Sequence, residues 1–316
     1  MILKIIGTES LGVRGMCCLV QAGEQRIVID PGVALGYMRH GLLPHPAQIA
    51  VGVSVRQIII EELATATDLV FSHFHGDHVP LRGANPYQLS LQHIAGVPED
   101  IRCWSASWKN QSQKMQQRAL DLAVVLGNRM KIAEGCSSGA LSFSPALPHG
   151  LPESRTGTIM MTRIKADGQV FVHGSDIQLL GDQTVDTILQ WQPDTVFVSG
   201  PPLYRQSLST SAHQQAWKNG IRLAENVETL IIDHHLLRSE QGLNWLDELS
   251  QAAGKKIYCA ADFMHRTRLL LEARRTELYQ KMEVPENWHR EYEQGKVSVN
   301  DFVIKHEIFY ENPPKG

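Results

Sequence analysis

The sequence carries little excess charge of either sign. Its 30 lysines and arginines against 33 acidic residues leave a formal net charge of −3, too small for a global field that gathers nucleic acid or an anionic membrane. Binding to a phosphate backbone would need a local basic patch. No stretch approaches the roughly 18 apolar residues of a membrane-spanning helix. The opening run Met1-Ile2-Leu3-Lys4-Ile5-Ile6-Gly7 is too short for a secretory signal and lacks its basic lead. Cysteine is sparse: five residues, Cys17, Cys18, Cys103, Cys136 and Cys259, an odd count with no C-x-x-C pair. Adjacent Cys17 and Cys18 are poorly placed to bridge each other, and on a predicted strand they are expected in the core. This is reduced-cysteine usage, so the expected residence is cytoplasmic, with no membrane association. Tandem repeats of 20–50 residues are absent.

What is present suits a packed α/β protein. Hydrophobic residues make up 43% of the chain and charged residues 20%, enough for a sizeable core without staples. The expectation is one domain over 1–316 with a peripheral tail from about 284. Three short β-rich runs open the chain, Ile2 to Gly7, Cys17 to Gln21 and Arg26 to Asp30, separated by glycine-bearing turns. A glycine- and proline-rich loop follows Asp30. Ser54, with Gln57 three positions on, reads as a capping box that starts a helix. Asp68 to Ser72 and Ile101 to Ser105 read as strands, with a helix from about Asn110 to Leu126. Asp167-Gly168 marks a hairpin between Thr158–Lys165 and Gln169–His173. Strand and helix then alternate through helix 182–191, strand 195–199, helix 211–225, strand 229–233, helix 243–253 and strand 256–259, ending in a helix from Asp262 to about Met282.

Chemistry concentrates in Phe71-Ser-His-Phe-His-Gly-Asp-His78. His73 and His75 lie two apart, so a turn leaving a strand can aim both imidazoles at one ion. Asp77 and His78 follow and can serve a second ion close by. Imidazole nitrogen and carboxylate oxygen are the ligands zinc and its neighbours favour. Further candidates stand at strand ends: Asp30, His149, Asp176, and His234 or His235. An internal echo links two of these places. Asp68-Leu-Val-Phe-Ser-His73 and Glu228-Thr-Leu-Ile-Ile-Asp-His234 are both apolar strands delivering a histidine, which suggests two related α/β halves packed sheet to sheet.

The ordered set Asp30, His73-x-His75-x-Asp77-His78, His149, Asp176 and His234 resembles the five signature motifs of the metallo-β-lactamase superfamily. Ser10-Leu-Gly-Val-Arg14, Ile29-Asp-Pro-Gly-Val33, Tyr37 to Pro46 and Ile232-Asp-His-His-Leu236 are similar to its family of uncharacterised predicted hydrolases, known largely from archaea and some bacteria. The resemblance spans roughly residues 1–280. It implies a four-layer αββα sandwich with a two-metal site at its edge. His73, His75 and His149 would then hold one ion, Asp77, His78 and His234 the other, and Asp176 would bridge. Asp30 would orient a ligand histidine. His234 is preferred over His235 by the echo and by Arg238 four positions later; His235 is then a ligand or a substrate contact.

The expected chemistry is hydrolysis by a metal-activated water, with Asp77 holding the water and accepting its proton. The ions are two divalent metals, Zn2+ first, with Mn2+ and Fe2+ open alternatives. Arg39, His40 and His45 lie on a long loop after Asp30 and are expected to line the mouth and contact substrate, with Arg238; an ordinary solvated connection is the competing reading. The lean is to a phosphodiester or other ester, a small molecule or short nucleic acid, with no obligate protein partner evident. An iron-dependent oxidoreductase of the thiol dioxygenase type is the alternative. The basic residues Lys109, Lys114, Arg118, Arg129 and Lys131 beside Trp104 and Trp108 read as a solvated helix face or a nucleic-acid face. Arg266, Arg268, Arg274 and Arg275 have the same two readings, and His173 reads as a core or supporting group.

Overall fold

A computed structural model describes residues 1–151 and 157–302. Strands β1 (Ile2–Gly7), β2 (Cys17–Ala22), β3 (Gln25–Ile29), β4 (Asp68–Phe71), β5 (Arg102–Ser105) and β6 (Met130–Ile132) form one sheet in sequence order. Strands β1 to β3 are antiparallel and β3 to β6 parallel. The second sheet takes β7 (Ser137–Ser138) and β8 (Leu141–Phe143); β9 (Leu147–Pro148) and β10 (Thr158–Ile159) pair separately. It is completed by β11 (Thr162–Ala166), β12 (Gln169–Ser175), β13 (Thr195–Val198) and β14 (Thr229–Ile232), in the order β14-β13-β12-β11-β8-β7. This sheet too passes from antiparallel to parallel, at β12. The shared pattern is the structural form of the echo seen in the sequence.

Parallel neighbours need long crossovers, and helices provide them. Helix α1 (Pro46–Leu63) links β3 to β4 and α2 (Gln113–Leu126) links β5 to β6. Helices α3 (Asp182–Gln190) and α4 (Thr210–Asn226) lead into β13 and β14. All four residues of β4 are buried, which requires cover on both faces of the strand. Bonds cross between the inner faces: the Ser72 and Ser175 hydroxyls lie 2.6 Å apart, and His173 Nε2 donates to Met16 O at 3.0 Å. One hydrophobic cluster, including Ile27, Phe71, Phe171 and Phe197, runs through both sheets. Each such side chain contributes about 1.5–3 kcal/mol on burial. The result is the four-layer αββα sandwich expected from the sequence.

Several elements depart from expectation. Helix α1 starts at Pro46, eight residues before Ser54, because His45 caps it: its Nδ1 accepts from Ala47 N at 3.1 Å. Ser54 is mid-helix and its hydroxyl donates back to Ala50 O. The expected strand Lys256–Cys259 reduces to one bridge, Ile231 to Tyr258, beside β14. After α5 (Gln241–Ala253) the expected long helix is two short ones, α6 (Ala260–Phe263) and α7 (Arg275–Lys281). Between them Leu269 N donates to Ser10 O at 2.7 Å, so the intervening chain is spent on tying down the loop after β1. The segment from 284 carries α8 (Trp288–Glu293), and its Trp288 is buried against the core; its end past 302 lies outside the described residues.

A candidate metal centre at the sheet edges

The backbone of the histidine run is held from several sides. Beyond β4, His78 N and Val79 N both donate to His75 O, at 3.0 and 3.2 Å, which closes a turn. Phe74 is buried edge-on to Trp108, and Arg118 Nη1 donates to Phe74 O at 3.0 Å. The loop after β3 presses directly on the motif. A Cβ on Gly32 would lie 2.2 Å from the backbone carbon of His78, so glycine is the residue that fits.

Two groups of donors result. In the first, His73 Nε2 and His75 Nδ1 are 3.0 Å apart, and both face Asp176 Oδ2, at 3.5 and 3.9 Å. His149 Nε2 donates to the same oxygen at 2.9 Å. The second group lies on the other carboxylate oxygen. His78 Nε2 is 3.1 Å and His234 Nε2 3.3 Å from Asp176 Oδ1, with Asp77 Oδ2 3.7 Å from His234 Nε2. Asp176 therefore spans both groups, one oxygen to each. His235 joins as well, its Nε2 3.6 Å from Asp176 Oδ2, so the structure brings both histidines of the pair to the cluster.

Supporting partners fix the rings. Asp30 Oδ2 accepts from His78 Nδ1 at 2.9 Å and from Ser72 Oγ at 2.6 Å, while His73 Nδ1 donates to Ser72 Oγ at 2.9 Å. One carboxylate thereby orients two histidines and leaves each Nε2 facing the cluster. On the far side, His234 Nδ1 donates to Glu9 Oε2 at 2.6 Å, and Asp233 Oδ1 accepts from Thr8 Oγ1, Ser10 N and His234 N. Gln178 donates to His149 Nδ1 at 3.2 Å. Glu9, Ser72, Ser175 and Gln178 were not singled out from the sequence. Ser72, between an apolar strand and a histidine, and Glu9, just past β1, carried only the signal of standing at strand ends. Asp30, Ser175 and His234 all adopt positive φ, 49°, 53° and 40°, a strained conformation for such residues that collects at functional sites.

The electrostatics favour cations. Burial opposes ionisation of the carboxylates, but the neighbouring cations together outweigh it: His78, His234 and Arg238 hold Asp77, and His78, His234 and His235 hold Asp176, well below the usual range. Asp30 is lowered against its own burial, chiefly by the His78 hydrogen bond. Burial pushes His73 down to about 3 and lowers His149 and His235, leaving neutral rings with lone pairs to offer. His78 and His234 are pushed up despite burial, His78 chiefly by Asp176 and His234 chiefly by Glu9. A divalent ion fits this set. His78 Nε2 and Asp176 Oδ1 are buried and without a hydrogen-bond partner among the described residues. His78 lies with Asp77 and His234, and Asp176 with His73, His75 and His149, as nitrogen and oxygen donors within one ion's reach.

The remaining candidates divide. Arg238 is at the centre but committed: it is buried, with Nε donating to Glu9 Oε1 at 2.7 Å and Nη2 to Asp77 Oδ2 at 3.2 Å. Arg39 borders it, donating through Nη2 to Arg238 O and lying over the Tyr204 ring. His40 is exposed with no contact to the cluster among the described residues. His45 is a correction. It is fully buried, caps α1 and donates from Nε2 to Met282 O at 3.1 Å, so it cannot meet a substrate; a histidine before the Pro46 that opens a helix is a capping residue. Cys17 and Cys18 are core, as expected. Of the basic residues, Arg129 is spent on backbone carbonyls, Arg268 on Asp262, Arg274 on Glu240 and Arg275 on Leu42 O and Gln48.

The sandwich, with donor groups at its sheet edges, has the four-layer αββα architecture that the resemblance to the metallo-β-lactamase superfamily implies. No protein-family model matches the chain. Among solved structures, Zn2+-bound PqqB from Methylobacterium extorquens aligns over 82% of this chain and 98% of its own, at 11% identity and a TM-score of 0.45. Among curated proteins, a UPF0282 protein of Thermococcus onnurineus is 32% identical over 260 residues, 78% of this chain and 85% of its own. A UPF0282 protein of Methanosarcina mazei is 45% identical over 302 residues, 96% of this chain and 99% of its own. At that identity and coverage, the chain belongs to the UPF0282 family.

Proposed function

We propose that the protein is a metal-dependent hydrolase with two divalent ions at the sheet edges, acting on a phosphodiester or other anionic ester. The observation that carries this reading is Asp176, whose two oxygens each face a separate set of imidazoles. His73, His75 and His149 would hold the first ion, Asp77, His78 and His234 the second, and Asp176 both. When bound, divalent ions at such a centre make hydroxide available near neutral pH and offset the charge that develops on the substrate. Asp77 is the group assigned to orient the attacking water and take its proton. Its side chain is 17% exposed while those of Asp30 and Asp176 are sealed, so it stands at the open side.

The lean to an anionic substrate draws support from two arginines. Arg39, on the Arg238 side, and Arg118, on the His75 side, pair with no carboxylate among the described residues. A small molecule or a short single strand would meet both. The proposal is tested by metal analysis of the purified chain together with assays on bis-aryl phosphate, thioester and lactam substrates. Turnover of the phosphate alone supports it, and turnover of none, with metal bound, contradicts it.

A further inference from the structure

The two donor groups differ in their nearest cation. Arg238 Nη2 lies 2.8 Å from His234 Nε2 and donates to Asp77 Oδ2 at 3.2 Å. These are two of the atoms that define the second group. No arginine or lysine side chain approaches the first group's donor atoms within hydrogen-bond distance among the described residues. A guanidinium stays charged and offers only donors, so it engages the same lone pairs that an ion would take. Its place is built. Arg238 is 7% exposed, its Nε is fastened to Glu9 Oε1, and Glu9 Oε2 at the same time takes the Nδ1 proton of His234. Glu9 thus aligns the guanidinium and the imidazole on one another.

We infer that the two groups are unequal: the first takes a divalent ion outright, whereas a second ion must displace the Arg238 guanidinium from His234 Nε2 and Asp77. This rests on the metal-centre reading above. Two cations cannot share the same lone pairs, and like charges brought together in a buried site repel strongly. Glu9 keeps the guanidinium in place when the second ion is absent, and balances its charge when both are present.

The test is calorimetric titration of the chelator-stripped full chain with Zn2+ alone. Two classes of site are expected, the second about 100-fold weaker. Arg238→Met should tighten the second class at least about tenfold and leave the first unchanged. Because that change leaves Glu9 without its counter-charge, the double variant Glu9→Gln/Arg238→Met is titrated as well, and the tightening should persist. Equal affinities in the unaltered protein, or no tightening in the double variant, would overturn the inference. If neither variant folds by circular dichroism, the titration of the unaltered protein decides alone. Failure of the underlying reading looks different: no Zn2+ binding at all, or a tight site that survives His149→Ala.

Discussion

Asp30 accepts the Nδ1 proton of His78 at 2.9 Å, and both side chains are fully buried. Because Ser72 relays the same carboxylate to His73, one residue at the end of β3 governs a ring in each donor group. Asp30→Asn keeps the shape and removes the charge. Zn2+ affinity is expected to fall about 10–100-fold, read by competition with a chromophoric chelator. Unchanged affinity would show that the orienting bonds are incidental.

Asp77 is assigned a chemical task, and it also accepts from the buried Arg238 Nη2 at 3.2 Å. Asp77→Ala is expected to lower kcat at least about 100-fold, the scale of a lost general base, with a lower thermal midpoint because the buried guanidinium loses an acceptor. Retained turnover on whichever ester is active would remove Asp77 from the water-activating role.

Gly32 bears on the site through its backbone. A methyl group there would meet His78 and Val79 at 2.2 Å, so Gly32→Ala forces the loop after β3 away from the histidine run. A loss of about 2–3 kcal/mol is expected from overpacking, seen as a lower denaturant midpoint. A midpoint equal to that of the unaltered protein would mean the loop yields freely.

The Arg14–Glu272 pair supplies a pH dependence from groups that are not themselves metal donors. Burial would raise the Glu272 carboxyl, but Arg14 prevails and holds it at about 2, against an ordinary value of 4.5. The folded value lies below the unfolded one. Its stabilisation is therefore complete above about pH 4.5 and is lost as pH falls through about 2. A difference of 4.5 − 2 corresponds to about 3 kcal/mol. Urea unfolding between pH 6 and 2.5 should show a shallower decline for Glu272→Gln than for the unaltered protein; parallel declines would contradict the pairing.

The histidine run was legible because its signal is local: a buried strand, then four ligand-type residues within six positions. The hairpin at Asp167-Gly168 was legible for the same reason, and both residues do adopt positive φ. His45 shows the opposite case. Its place in a long loop near Asp30 suggested a substrate contact, whereas Pro46 next to it signals a helix start and makes it a cap. Glu9 was illegible, because its meaning comes from His234 and Arg238, more than 200 positions away. The chain between α6 and α7 has helical composition, but Leu269 is claimed by Ser10, and tertiary pairing overrides propensity there.

The most direct measurement is elemental analysis of the full chain purified with Zn2+ present, beside the Asp176→Ala variant. The expected result is two transition-metal ions per chain, falling to one or fewer when the carboxylate that faces both groups is removed. Fewer than one ion per chain in the unaltered protein would contradict the metal centre itself.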